Sequence, residues 1–143
     1  NKWCDIESSR FGNNLNISFD IDEELLDETV PAMLLQPLIE NAIKHGKSMP
    51  LFIWITVRSD DQYMFFSVRD NGIGFGEFYL DNASCRHINK RKRPLEQDKL
   101  AHFGLEITQA RLELEAGSRL ELSNTPEGGA SVEFKLQVRN RVC

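Results

Sequence analysis

The chain has 143 residues, a net charge of −5, 41% hydrophobic side chains and 27% charged ones, which is the make-up of an ordinary globular protein. It has room for one domain, or one domain with a stub, and no apolar run approaches the roughly 20 residues of a membrane span. The acidic balance argues against non-specific nucleic-acid binding. Cys4, Cys85 and Cys143 are odd in number and far apart, which fits a reducing compartment better than a disulfide framework or a zinc site.

No secretory signal opens the chain, and it starts at Asn1 without Met, which reads as an excised fragment. In residues 1–11, Trp3, Ile6 and Phe11 are compatible with one helical face. Residues 15–21 alternate, with Leu15, Ile17, Phe19 and Ile21 on one side, and predict a half-buried strand. An acidic connection over 22–29 follows.

Residues 30–46, VPAMLLQPLIENAIKHG, predict a helix with a wide apolar face of Met33, Leu34, Leu38, Ile39, Ala42 and Ile43. Pro31 suits its first turn and Gly46 its end. Pro37 is unusual there, because an interior proline removes a hydrogen bond and costs roughly 3 kcal/mol. Pro37, Asn41 and His45 share one side at four-residue spacing, and Glu40 with Lys44 forms a second such pair. An amphipathic helix with a solvated polar face explains these residues as well as a binding site does.

Residues 51–58 and 63–69 are β-rich runs joined by four polar residues, an antiparallel hairpin with Ile53, Ile55, Val57, Phe66 and Val68 facing inward. The second run leads into Asp70-Asn71-Gly72-Ile73-Gly74-Phe75, a carboxylate at a strand end followed by a glycine turn that backbone or ligand can approach closely. No GK[ST] follows, and no GxGxxG opens a helix, so neither a P-loop nor a Rossmann turn is present. Residues 76–102 lack periodicity and carry the basic run Arg86 to Arg93, so they predict a functional loop or a solvated one. Residues 104–115 predict a second amphipathic helix, with Leu105, Ile107, Thr108, Leu112 and Leu114 as packing positions and 116–118 as its end. Strands are expected over 119–123 and 130–138. The order β, α, β, β, loop, α, β, β implies an α/β sandwich (α+β), with a mixed, mostly antiparallel sheet of about five strands and helices on one face.

Two ordered strings, LQPLIENAIKHG and RDNGIGF, resemble the N box and first glycine box of the histidine-kinase, gyrase and heat-shock-chaperone ATPase superfamily, and most closely its LytS-like sensor histidine kinases. Glu7, Arg10 and Phe11 match an ExxRF string that those kinases carry upstream. The resemblance implies a Bergerat-type domain over 12–143, with 1–11 as the tail of an upstream helix and 76–102 as an ATP lid. It implies ATP and Mg²⁺ as ligands. Asp70 would accept from the adenine amino group, Gly72 and Gly74 would let backbone pass the base, and Ile73 would wall its slot. Asn41 would hold Mg²⁺, Lys44 and His45 would meet phosphate, and Glu40 would act as general base or polariser. Gly104 and Leu105 match the second glycine box, a phosphate seat at a helix N-terminus; Arg111 and Leu112 match the RL that follows.

The same resemblance implies the catalytic domain of a two-component kinase, delivering the γ-phosphoryl group of ATP to a histidine on an upstream dimerisation domain. A response-regulator receiver domain would be its further partner. The implied location is cytoplasmic, with any membrane contact made through segments outside this chain. His102-Phe103 is not the acceptor histidine, because its context is the glycine box. Pro37 stands where gyrase- and MutL-like enzymes carry a catalytic Glu, which disfavours those branches. His102, Ile107 and Ala130 depart from the LytS-like pattern of Gly, Asn and Thr. These departures motivate an alternative, a degenerate interaction module of the same fold.

Overall fold

The computed structural model describes residues 14–25, 32–45, 50–76 and 96–138. Five strands form one sheet in the order β1-β2-β3-β5-β4: β1 (Leu15–Ile21), β2 (Leu51–Ser59), β3 (Tyr63–Asp70), β4 (Glu121–Asn124) and β5 (Ala130–Gln137). Two helices, α1 (Ala32–His45) and α2 (Glu96–Ala116), pack against each other, and α1 also packs on β2 and β3. β1 runs parallel to β2, and the other three pairings are antiparallel. The mixed, mostly antiparallel sandwich expected from the sequence is therefore what the chain adopts.

The core follows from period-2 alternation. Leu51, Ile53, Ile55 and Val57 of β2 are buried, as are Phe66 and Val68 of β3 and Val132, Phe134 and Leu136 of β5. Phe66 and Phe134 face each other in register and their rings stack at 4.6 Å, an arrangement worth about 0.5–1.5 kcal/mol beyond its area. Leu34, Leu38, Ile39 and Ala42 of α1 and Leu105 and Leu112 of α2 close the same cluster. The helix continues unbroken through Pro37. Val30, Pro31, Gly46 and the basic run lie outside the described residues.

Local bonds fix the strand ends. Asp60 closes the β2–β3 hairpin, its Oδ1 accepting from the Gln62 N–H at 2.8 Å and the Tyr63 N–H at 2.7 Å. Those donors hold its carboxyl below the usual range. Across the β1–β2 edge, Arg58 donates to Asp20 at 2.5 Å and sits 3.5 Å from Asp22; the hydrogen bond from Arg58 lowers the Asp20 pKa. At the C-terminus of α2, Gly117 takes a φ of 60° and its N–H donates to the Glu113 carbonyl at 3.0 Å, a left-handed glycine cap.

Several expectations need correction. The second helix begins at Glu96 rather than Gly104, so residues 96–102, read as aperiodic loop, are helical. Within it Leu105, Thr108 and Leu112 are buried as expected, but Leu114 is 88% exposed and Ile107 48% exposed. At 100° per residue Leu114 falls on the side of the helix opposite the 105–108–112 stripe, away from the core. Phe19, on the side of the alternation expected to face inward, is also exposed; it lies on β1, an edge strand. β4 is shifted to Glu121–Asn124; Leu120 precedes it, its N–H donating to Gln109 Oε1 at 2.7 Å.

Candidate functional site

β3 is a central strand, and its last residue, Asp70, is 8% exposed although it is a carboxylate. Burying such a group is costly unless donors meet it. Asp70 Oδ1 accepts from the Gly72 N–H at 2.7 Å and from the Ala130 N–H at 3.3 Å. The first bond is the local turn expected of an Asp followed by glycine. The second reaches across to the start of β5 and is not local at all. It also bears on the departure at Ala130: a threonine hydroxyl is missing, but the main-chain amide at that position still supports Asp70.

The turn after Asp70 is held from both sides. Asn71 Oδ1 accepts from the Phe52 N–H at 2.8 Å, and its Nδ2 donates to the Pro50 carbonyl at 3.1 Å. On the other side, Asn124 Oδ1 accepts from the Phe75 N–H at 2.7 Å and its Nδ2 donates to the Phe75 carbonyl at 2.9 Å. Gly74 has a φ of 75°, and a Cβ there would lie 2.8 Å from Asn124 Oδ1 and collide with the Gly128 carbonyl. A Cβ on Gly129 would collide with the Asp70 carbonyl and come within 3.1 Å of Asn71 Cα. Both glycines are therefore demanded by the β4–β5 hairpin pressing on the turn, whatever ligand the turn receives. Ile73 projects outward at 64% exposure.

The second group of residues lies on α1, which packs against β3. Asn41 is half-buried in the helix interior and Lys44 is exposed. Glu40 accepts from Gln36 Nε2 at 3.1 Å, one turn back, rather than pairing with Lys44 as the spacing suggested. His45 is the last helical residue. In α2, Leu105 is buried against the core, and Gly104 lies well inside the helix. A phosphate seat at an N-terminus beginning with Gly104 is thus not what this helix offers, because interior N–H groups are directed to carbonyls of the preceding turn.

The structure brings Asp70, Gly72 and Gly74 into one turn beside the β4–β5 hairpin and puts Glu40, Asn41 and Lys44 on the adjoining helix. The sequence alone assigns no role to the side chains of Asn71 and Asn124, nor the close approach at Gly129. The available signal is an Asn at or just past a strand end with glycines within a few residues of it. A separate groove of about 690 Å³ lies on the opposite sheet face, lined by Thr56, Arg58, Phe65, Glu133 and Lys135 among others, and shares none of these site residues. Among the described residues no three His, Cys, Asp or Glu side chains cluster as a metal site, and none of the helices is long and apolar enough to cross a membrane.

Comparison with known proteins bears on the family and the fold. Residues 26–140 match the family described as histidine kinase-, DNA gyrase B-, and HSP90-like ATPase. YwpD of Bacillus subtilis is 32% identical over 142 residues, covering 96% of this chain and 47% of that protein. The sensor protein LytS of Oceanobacillus iheyensis is 32% identical over 145 residues, covering 96% of this chain and 23% of LytS. The chain thus spans less than half the length of either relative. Among solved structures, the catalytic domain of histidine kinase ThkA superposes with a TM-score of 0.67 at 22% identity, over 94% of this chain and 87% of that one. ThkA in complex with the response regulator TrrA gives 0.68 at 20% identity, over 99% of this chain and 39% of that one. At such identities the likeness speaks for the fold. With residues 26–140 matched by that family's model, most of its length, the chain belongs to the histidine kinase-, DNA gyrase B-, and HSP90-like ATPase family.

Proposed function

We propose that this domain binds ATP and serves a two-component sensor kinase, presenting the γ-phosphoryl group to a histidine on an upstream dimerisation domain. The observation that carries the reading is Asp70, buried at the end of a central strand with Oδ1 fixed by two backbone donors. A carboxylate so fixed is a preorganised acceptor for an exocyclic amino group, which adenine presents and guanine does not present at that position. Gly72 and Gly74 give the base a close backbone surface, and Ile73 supplies an apolar wall once a base lies against it.

Asn41 fits the role of a Mg²⁺ ligand: its amide oxygen is a hard donor held on a rigid helix. Mg²⁺ carried with a nucleotide takes few protein ligands, in keeping with a single neutral oxygen and no acidic cluster among the described residues. When bound, the ion neutralises charge on the phosphates. Lys44 and His45, one turn on, meet phosphate oxygens; Glu40 polarises the incoming nucleophile. Leu105 backs the site from α2, and Gly104 contributes backbone there only if the start of α2 rearranges. Such transfer depends chiefly on positioning and charge stabilisation.

In this reading residues 1–11 are the tail of an upstream helix, 12–143 the ATPase domain and 76–102 its lid, most of which lies outside the described residues. The partners are the histidine-bearing dimerisation domain and a response-regulator receiver domain, and the location is the cytoplasmic side of an inner-membrane sensor. A second reading, a non-catalytic interaction module, is favoured by the position of Gly104 inside α2 and by His102 and Ile107 in place of the family's Gly and Asn. Calorimetric titration separates the two. ATP with Mg²⁺ should bind, GTP should not, and Asp70→Asn should lose most of the affinity while circular dichroism stays unchanged. An Asp70→Asn variant that binds ATP like the parent would defeat the adenine assignment.

A further inference from the structure

The chain leaving the glycine turn is held by a side chain of the β4–β5 hairpin. Asn124, the last residue of β4, offers both halves of its amide to Phe75, accepting from its N–H and donating to its carbonyl. That is the pairing a strand would provide, supplied here by a planar amide. Only an amide side chain carries donor and acceptor on one rigid fork; Asp lacks the donor, and Ser or Thr lacks the fork. The Phe75 ring packs against the hydrophobic core, so ring and backbone are anchored from different sides.

We infer that Asn124 is a positioning residue for the base-recognition end of the nucleotide site. The inference rests on the ATP-binding reading given above. Asn124 does not reach the base; it sets where Ile73 and Gly74 stand relative to Asp70. Gly74 is matched to it, since a Cβ at 74 would lie 2.8 Å from Asn124 Oδ1 and displace the clamp. The same hairpin supplies the Ala130 N–H that fixes Asp70 Oδ1. Recognition carboxylate and glycine turn are thereby referred to one common support, and Asn124 is the side chain that ties the turn to it.

The test compares Asn124→Ala, Asn124→Asp and, as a control for plain loss of stability, Leu122→Ala in the same strand. Leu122 packs against the core and touches none of the turn bonds described. Calorimetric affinities for ATP and ADP with Mg²⁺ are measured alongside amide hydrogen exchange at Phe75. Asn124→Ala should weaken both nucleotides by the same factor, about tenfold for hydrogen bonds lost at a site that must stay ordered, and should unprotect the Phe75 amide. Asn124→Asp should keep that amide protected, because an oxygen still accepts from it, yet recover only part of the affinity. Leu122→Ala should melt earlier and bind like the parent. Parental affinity in Asn124→Ala, or an equal loss in Leu122→Ala, overturns the inference and leaves the ATP reading standing. A parent chain that binds neither nucleotide overturns both.

Discussion

Asp70 and Gly129 show how closely one residue can depend on another far along the chain. Gly129 passes so near the Asp70 carbonyl that a methyl group at 129 has no space, with Asp70 C at 2.9 Å and Asn71 Cα at 3.1 Å. These are backbone atoms, which cannot swing away as a side chain would. Gly129→Ala should therefore cost at least ~1–3 kcal/mol, the usual range for overpacking, and should lose ATP affinity beyond the stability loss by displacing Asp70. Urea denaturation with parallel titration checks both parts; a variant as stable as the parent would show that the hairpin can move aside. Asp70 and the glycines were legible in the sequence because an acid, a strand end and two glycines coincide within a few positions. Gly129 was not, because its constraint comes from a strand sixty residues away, and single-sequence patterning carries no record of which loops touch.

Elements were legible in proportion to their periodicity. β2 and β3 alternate cleanly, and their boundaries fell within a residue of those observed. The first residues of α2, Glu96-Gln97-Asp98-Lys99, are polar throughout and follow Pro94, so the sequence shows a helical pattern only from the apolar stripe that starts at Leu105. Leu114 differs for the opposite reason: it is apolar but lies about 180° round the helix from the buried stripe, and it is exposed. The β2–β3 hairpin carries a pH dependence of its own. Asp60 has its pKa lowered from 3.8 by the Gln62 and Tyr63 N–H bonds, so its contribution is present above the unfolded value and is lost as pH falls through the lower folded one. Asp60→Asn keeps an acceptor but removes the charge. The melting-temperature advantage of the parent over this variant should shrink as the pH drops below 3.8 and be constant above about 5. An advantage independent of pH would mean that the carboxylate charge does not strengthen the turn.

At the scale of the whole molecule, the sandwich could be anticipated because its element order leaves few topologies. The parallel β1–β2 pairing follows from the same rule, since α1 intervenes and provides the crossover. Ligand linkage offers the global test. ATP at a hundred times its dissociation constant adds about 2.7 kcal/mol, which for a domain of this size raises the melting temperature by about 5–10 °C, whereas GTP should leave it unchanged. No shift at millimolar ATP would favour the interaction module.

The bond from the Ala130 amide to Asp70 also has a consequence for the order of folding. The β2–β3 hairpin closes over three residues between its strands, a fast local event, whereas the Asp70–Ala130 contact closes a loop of sixty and carries a correspondingly larger entropy cost. The surroundings of Asp70 should thus be completed after the hairpin that bears it, and should be lost first when β5 peels away. A chain in which only the hairpin has formed would hold Asp70 in sequence but without its Ala130 donor.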